Sequence, residues 1–259
     1  MTPNNPVEAS HARTPWLAYH KPVPEARLRL FCFPFAGGSA LTFRRWQSGL
    51  QPHVEVCPVQ LPGRGGRLRE PASTSLLATA RAVAENLRPY TDKPFAFFGH
   101  SMGAMIAFEL ARQLRRDGGP QPLHLFVSGG RAPQLPRTDP ITYNLPEPQL
   151  VAELRRLNGT PPEVLEHPEL MALMLPLLRA DFEAVETYLY TPEPPLACPL
   201  TAFGGLEDRE VAQEQIEAWR AQTTGPFSVR MLPGDHFFLI NAEPLMLRVI
   251  AQELARHTA

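Results

Sequence analysis

The stretch Phe95-Ala96-Phe97-Phe98-Gly99-His100-Ser101-Met102-Gly103 decides the fold. Four apolar residues run into a glycine-flanked serine, after which Met102, Met105, Ile106, Leu110 and Leu114 recur at helical spacing up to the stop Gly118-Gly119. A strand, a tight turn and an amphipathic helix are predicted, with Ser101 on the turn. A G-x-S-x-G string alone would arise by composition in about one chain in ten of this length. Between a strand and a helix it is what a nucleophile elbow requires: the hydroxyl stands above the sheet, and the helix N-terminus favours an anionic transition state. Glycines at 99 and 103 remove the β-carbons that would clash where strand and helix converge. The competing reading of Ser101 is an ordinary helix cap.

Outward from this element the pattern repeats. Apolar, β-forming runs lie at Leu28–Phe33, Val54–Val59, Leu123–Ser128, Leu200–Phe203 and Phe227–Leu232. Between them, Leu76, Leu77, Ala80, Val83, Ala84 and Leu87 follow the capping run Ser73-Thr74-Ser75, and a last helix spans Glu243–His257 with Pro244 in its first turn. Strand and helix in alternation predict an α/β fold with a mostly parallel central sheet flanked by helices. The 67 residues Arg131–Ala197 exceed the dozen or so that a crossover needs. They read as an inserted helical lid, with one helix over Glu147–Leu157 and another from Pro168 to about Leu189, kinked at Pro176. The apolar stripe of that second helix fits a lid or plain packing on the sheet, and both can hold for different residues. Residues 1–27, dotted with prolines, read as an extended lead-in whose first dozen residues are mobile, and 28–259 as a single domain.

Composition narrows the function. With 25 basic and 26 acidic side chains in 259 residues, the net charge is −1, so no field exists to hold nucleic acid or an anionic membrane surface. No apolar run approaches a bilayer span and no secretory leader is visible, which makes the cytoplasm the expected compartment. Cys32, Cys57 and Cys198 lack C-x-x-C spacing and read as buried reduced thiols.

A serine nucleophile demands a base and a carboxylate to orient it. Of eight histidines, His236 stands out, because Leu232-Pro233-Gly234-Asp235-His236 forms a loop after the last strand. His100, next to the nucleophile, points off the elbow. The acid belongs after a strand between Ser101 and His236, where Gly204-Gly205-Leu206-Glu207-Asp208 supplies it. Asp208 is the choice, with Glu207 and Asp235 as alternatives. Two N–H groups should form an oxyanion hole, one from Met102 and the other from Ala36 in the loop Pro34-Phe35-Ala36-Gly37-Gly38.

These residues resemble the stand-alone type II thioesterases of polyketide and nonribosomal peptide synthesis, on the α/β-hydrolase fold. The resemblance runs from about Leu28 onward. It rests on Phe33-Pro34-Phe35-Ala36-Gly37-Gly38, Gln60-Leu61-Pro62-Gly63-Arg64-Gly65-Gly66-Arg67, Gly99-His100-Ser101-Met102-Gly103, Asp208 and Gly234-Asp235-His236-Phe237-Phe238. It implies a Ser101, Asp208, His236 triad, Met102 and Ala36 as oxyanion donors, no cofactor or metal, and a lid over an acyl chamber. The implied partners are acyl- or peptidyl-carrier domains bearing phosphopantetheine thioesters, with this chain acting as a monomer that clears stalled or misloaded units. A product-releasing or medium-chain thioesterase, a carboxylesterase of the same fold, and a noncatalytic binding module are the rivals. Arg64, Arg67 and Arg69 could meet a carrier, but a solvated loop that sets backbone geometry is the expectation there.

Overall fold

In the computed structural model, which describes residues 14–50 and 52–257, the apolar runs become six strands. They are β1 (Leu28–Phe33), β2 (Val54–Pro58), β3 (Phe95–His100), β4 (Leu125–Ser128), β5 (Leu200–Gly205) and β6 (Phe227–Leu232), joined in the order β2-β1-β3-β4-β5-β6 with every pairing parallel. The helices are α1 (Trp46–Leu50), α2 (Leu76–Leu87), α3 (Met102–Arg116), α4 (Glu147–Leu157), α5 (Pro162–Leu165), α6 (Pro168–Glu186), α7 (Gln213–Glu217), α8 (Phe238–Asn241) and α9 (Glu243–Ala255).

The strands read as unbroken apolar runs because the sheet is covered on both faces. Phe31, Phe33, Phe95 and Phe97 join one core with α2 and α3, while Leu28, Leu30, Cys32, Ala96 and Phe98 join a second with α1 and α9. Successive side chains thus go to opposite faces, and both faces are apolar. The outer edge of β2 is covered by the lead-in: Leu17 bridges to Val59, and the Gln60 N–H donates to the Trp16 carbonyl at 2.8 Å. Such cover prevents edge-to-edge association. The first dozen residues, expected to be mobile, lie outside the described residues.

Several boundaries differ from the sequence reading by one to three residues, and for two of them the physical reason is plain. Strand β5 continues through Gly204 and Gly205, which look like a turn but pair with Met231 and Leu232. A Cβ on Gly205 would stand 2.6 Å from the carbonyl oxygens of Gly234 and Asp235, so this glycine permits close approach of the loop that carries His236. Helix α6 runs through Pro176 without a break and stops at Glu186, where Thr187 Oγ1 donates back to the Glu183 carbonyl at 2.6 Å. Helices α4 to α6 gather Leu150, Leu154, Met171, Leu175 and Leu178 into a small core of their own, while Ala184 belongs to the main core.

The strand order places the site. The chain runs from β1 outward to β2, crosses back past β1 to β3 and then continues in the opposite direction through β4 to β6, so the order reverses between β1 and β3 and opens a crevice at their carboxyl ends. Phe33 and Gly99 are partners in register, so the loop after β1 and the turn after β3 emerge side by side.

The core also carries a pH response. His124 stacks on Phe126 with centroids 4.2 Å apart, and its Nε2 meets Thr201 Oγ1 at 2.9 Å. Burial, with nearby His257 and Arg256, pushes its pKa down to about 3. The unfolded chain takes up this proton near pH 6.5 and the folded chain does not, so stability falls as pH drops from about 6.5 toward 3. By pH 4 the loss from this residue is about 3 kcal/mol. Urea unfolding across that range should show a flatter pH dependence for His124→Phe than for the native chain; parallel curves would contradict this.

Candidate active site

Ser101 sits at φ 53° and ψ −115°, a conformation that costs a residue with a β-carbon about 1–3 kcal/mol. The strain is held in place by the main chain: Ser101 N–H donates to the Ser128 carbonyl at 2.7 Å, and the Ser101 carbonyl accepts from Ala104 N–H at 3.0 Å. The Ser101 side chain makes no capping bond to α3, which removes the helix-cap reading. Both flanking glycines are sterically required. A Cβ on Gly99 would lie 2.0 Å from the Gly103 oxygen, and one on Gly103 would lie 2.1 Å from the Phe33 oxygen.

His236 and Asp208 are brought together from the ends of β6 and β5. His236 Nδ1 lies 2.9 Å from Asp208 Oδ2, and the carboxylate is fully buried while the imidazole keeps a little exposure. An ionised carboxylate only accepts, so Nδ1 carries the hydrogen and Nε2 of the neutral ring is left as a lone-pair acceptor. Asp208 is itself fixed, because its Oδ1 accepts from the N–H groups of Glu210 (2.8 Å) and Val211 (3.2 Å). The alternatives are occupied otherwise. Glu207 is exposed, and Asp235 accepts from Phe237 N–H at 2.9 Å and from Asn158 Nδ2 at 3.2 Å.

Ser101, Met102, Ala36 and His236 all line one cavity of about 850 Å³. Met102 is the first residue of α3, so its N–H has no intrahelical acceptor. In the loop after β1, Gly38 N–H donates to the Phe35 carbonyl and Gly37 N–H to Asp181, whereas Ala36 N–H has no acceptor among the described residues. Leu154, Met174, Leu178, Phe182 and Val185 of α4 and α6 wall the cavity beyond the serine. The arrangement suits addition of a serine oxygen to an acyl carbonyl whose chain lies in an apolar chamber.

Sequence reasoning missed three supports. His100 is fully buried, and its Nε2 lies 2.9 Å from the His236 carbonyl oxygen and its Nδ1 2.8 Å from Ser128 Oγ. The carbonyl can only accept, so Nε2 donates and Nδ1 accepts from the Ser128 hydroxyl. Burial, then the charge of His236, holds the His100 pKa well below the usual range, which keeps the ring neutral. His100 therefore tethers the loop that carries His236. Arg64 and Arg67 are not solvated as expected. Arg64 pairs bidentately with buried Asp181, while Arg67 stacks 4.0 Å over Trp16 and donates to Glu70. Only Arg69 of the three is exposed. Partners 117 residues apart, such as Arg64 and Asp181, leave no local signal.

His20, Glu55 and Cys57 bring three metal-binding atoms within 4.8 Å of one another. Glu55 already takes hydrogen bonds from His20 and Arg29 with Lys93 nearby, and burial pushes the Cys57 thiol well up. A cation would compete with two cationic side chains there and need a thiolate that burial opposes, so these residues read as a structural ion-pair cluster. Among the described residues no helix is long and apolar enough to cross a membrane.

Comparison with known proteins gives the family. Residues 28–254 match the family described as "Thioesterase domain". The gramicidin S biosynthesis protein GrsT of Aneurinibacillus migulanus is 48% identical over 229 residues, covering 88% of this chain and 90% of that protein. The RedJ thioesterase from the prodiginine pathway of Streptomyces coelicolor superposes with a TM-score of 0.83 at 46% identity, covering 88% of this chain and 86% of its own. The type II thioesterase BorB from the borrelidin biosynthetic cluster gives 0.84 at 39%, covering 92% and 97%. This chain belongs to the thioesterase family, hydrolases of thioester bonds on the α/β-hydrolase fold.

Proposed function

We propose that this enzyme removes acyl groups from the phosphopantetheine arm of acyl- or peptidyl-carrier domains, clearing stalled or misloaded units during polyketide or nonribosomal peptide assembly. It would act as a monomer in the cytoplasm. The observation that carries the chemistry is the His236–Asp208 pair at 2.9 Å, with His236 and the strained Ser101 lining one chamber walled by apolar side chains. The carrier-borne substrate is supported by relatives named for such pathways.

In this reading Nε2 of His236 takes the hydroxyl proton as Ser101 Oγ adds to the thioester carbonyl. The negative oxygen is met by the N–H groups of Met102 and Ala36. Collapse breaks the carbon–sulfur bond, and the proton on His236 passes to the departing thiolate. Water then attacks the acyl-serine with His236 again as base, which releases the acid and restores Ser101. Asp208 holds the imidazole in the tautomer each step needs and stabilises its cationic form.

The deciding experiment compares one acyl group on a phosphopantetheinylated carrier protein with the same group on N-acetylcysteamine. A kcat/KM at least about tenfold higher on the carrier is expected, which corresponds to about 1.4 kcal/mol of added contact. Equal values would favour a general esterase, and no turnover on either would favour a binding module.

A further inference from the structure

Helix α6 does two things at once. Met174, Leu178, Phe182 and Val185 wall the chamber. Asp181, in the same turns, is 2% exposed and reaches the loop after β1 instead. Its Oδ2 accepts from Gly37 N–H at 2.7 Å and from Arg64 Nη1 at 2.8 Å, and its Oδ1 accepts from Arg64 Nη2 at 2.7 Å. Arg64 closes the joint by donating to the carbonyls of Gly38 and Pro62, each at 3.1 Å. Helix and loop also touch. Gly37 has φ +75°, and a Cβ there would fall 2.6 Å from Leu178 Cδ2.

A buried ion pair is a poor device for stability, since apolar residues of similar volume serve as well or better. Its geometry here has a positional consequence. Asp181 takes the Gly37 N–H and so fixes the Ala36–Gly37 peptide, while the Phe35–Ala36 peptide next to it is held by its carbonyl, which accepts from Gly38 N–H at 2.9 Å. Between these two anchors the Ala36 N–H has no acceptor among the described residues, and Ala36 lines the chamber. We propose that Asp181 is a positioning residue. From the helix that walls the acyl chamber it sets the oxyanion donor Ala36, so that filling the chamber is felt at the reacting carbonyl. The inference rests on the reading of Ser101 and Ala36 above. An acyl chain packed on Met174, Leu178 and Phe182 bears on the helix that holds the loop, and chain length is then read in kcat and not in KM alone.

The test uses N-acetylcysteamine thioesters from acetyl to octanoyl. With the native enzyme kcat rises along the series. Asp181→Asn lowers kcat about 30-fold, keeps KM within about threefold and flattens the rise. Affinity for an alkyl boronic acid, whose tetrahedral anionic adduct on Ser101 places an oxygen at the oxyanion position, falls in the same proportion. Affinity for the neutral amide of the same chain does not. Because Asp181→Asn strands the Arg64 charge inside the protein, the double variant Arg64→Met/Asp181→Leu is measured beside it and should show the same loss of kcat. A native kcat that is flat along the series, or a variant that turns over at the native rate, overturns the proposal. Should neither variant fold, Asp181→Glu, which keeps the charge beside Arg64 but shifts the carboxylate by one methylene, is measured in the same way, and a native rate with a native slope in it overturns the proposal. Absence of any Ser101-dependent turnover overturns the thioesterase assignment and takes this proposal with it, whereas turnover with a flat kcat overturns the coupling only.

Discussion

Ser101→Ala is expected to fold as well as the native chain while releasing acyl groups at least about 10⁴-fold more slowly, the order lost when the nucleophile of a serine triad is removed. The two halves of this expectation have separate causes. The Ser101 side chain caps nothing in α3, so its hydroxyl contributes little to stability. Alanine also keeps the β-carbon, and with it the strain of φ 53°, so the melting temperature should barely move. Ser101→Gly is the informative partner. Glycine adopts that conformation without penalty and should stabilise the fold by about 1 kcal/mol while being equally inactive. A serine kept at a position that glycine would hold more comfortably is strain retained for chemistry. Calorimetry and thioester turnover on the three proteins check both halves, and turnover by Ser101→Ala above a tenth of native would sink the nucleophile.

What could be read from residue order was whatever is local. The parallel sheet declared itself because β1, β3 and β5 are buried along their whole length, and burial on both faces erases the alternation that would mark an exposed sheet. Ser101 and His236 were legible because each sits just beyond a strand, where glycines mark the turn. Asp208 needed the structure to separate it from Glu207 and Asp235, since a carboxylate one residue away looks identical until Oδ2 is found 2.9 Å from Nδ1. Nothing in the sequence pairs Arg64 with Asp181 or joins His100 to the His236 carbonyl, contacts made across 117 and 136 residues. The short helices α1, α5, α7 and α8, of four or five residues each, complete too few turns for a period to show.

Gly103→Ala should damage both the fold and the chemistry, and the reason lies in the backbone of β1. The added methyl would sit 2.1 Å from the Phe33 oxygen, 2.6 Å from the Phe33 carbon and 2.8 Å from the Pro34 oxygen. None of these atoms can swing aside as a side chain could. Phe33 is paired with Gly99 in the sheet, and Pro34 opens the loop that carries Ala36. Relief of about 1 Å must come from tilting α3 away from β1 or from moving that loop. Tilting α3 loosens the buried contacts of Ala104, Ala107 and Phe108. A loss of about 3 kcal/mol is expected, at the upper end for overpacking because backbone must move. The surviving folded fraction should turn over about 100-fold more slowly, since a displacement of that size would misplace the Ala36 N–H proposed as an oxyanion donor. Gly66→Ala is the control, because no atom lies within 4 Å of the Cβ it would add, and its stability should stay within about 0.5 kcal/mol of native. Urea midpoints for the two variants should therefore separate widely. Equal midpoints would mean that β1 and α3 can move apart freely, and the loop carrying Ala36 would then have to be held by Asp181 and Arg64 alone.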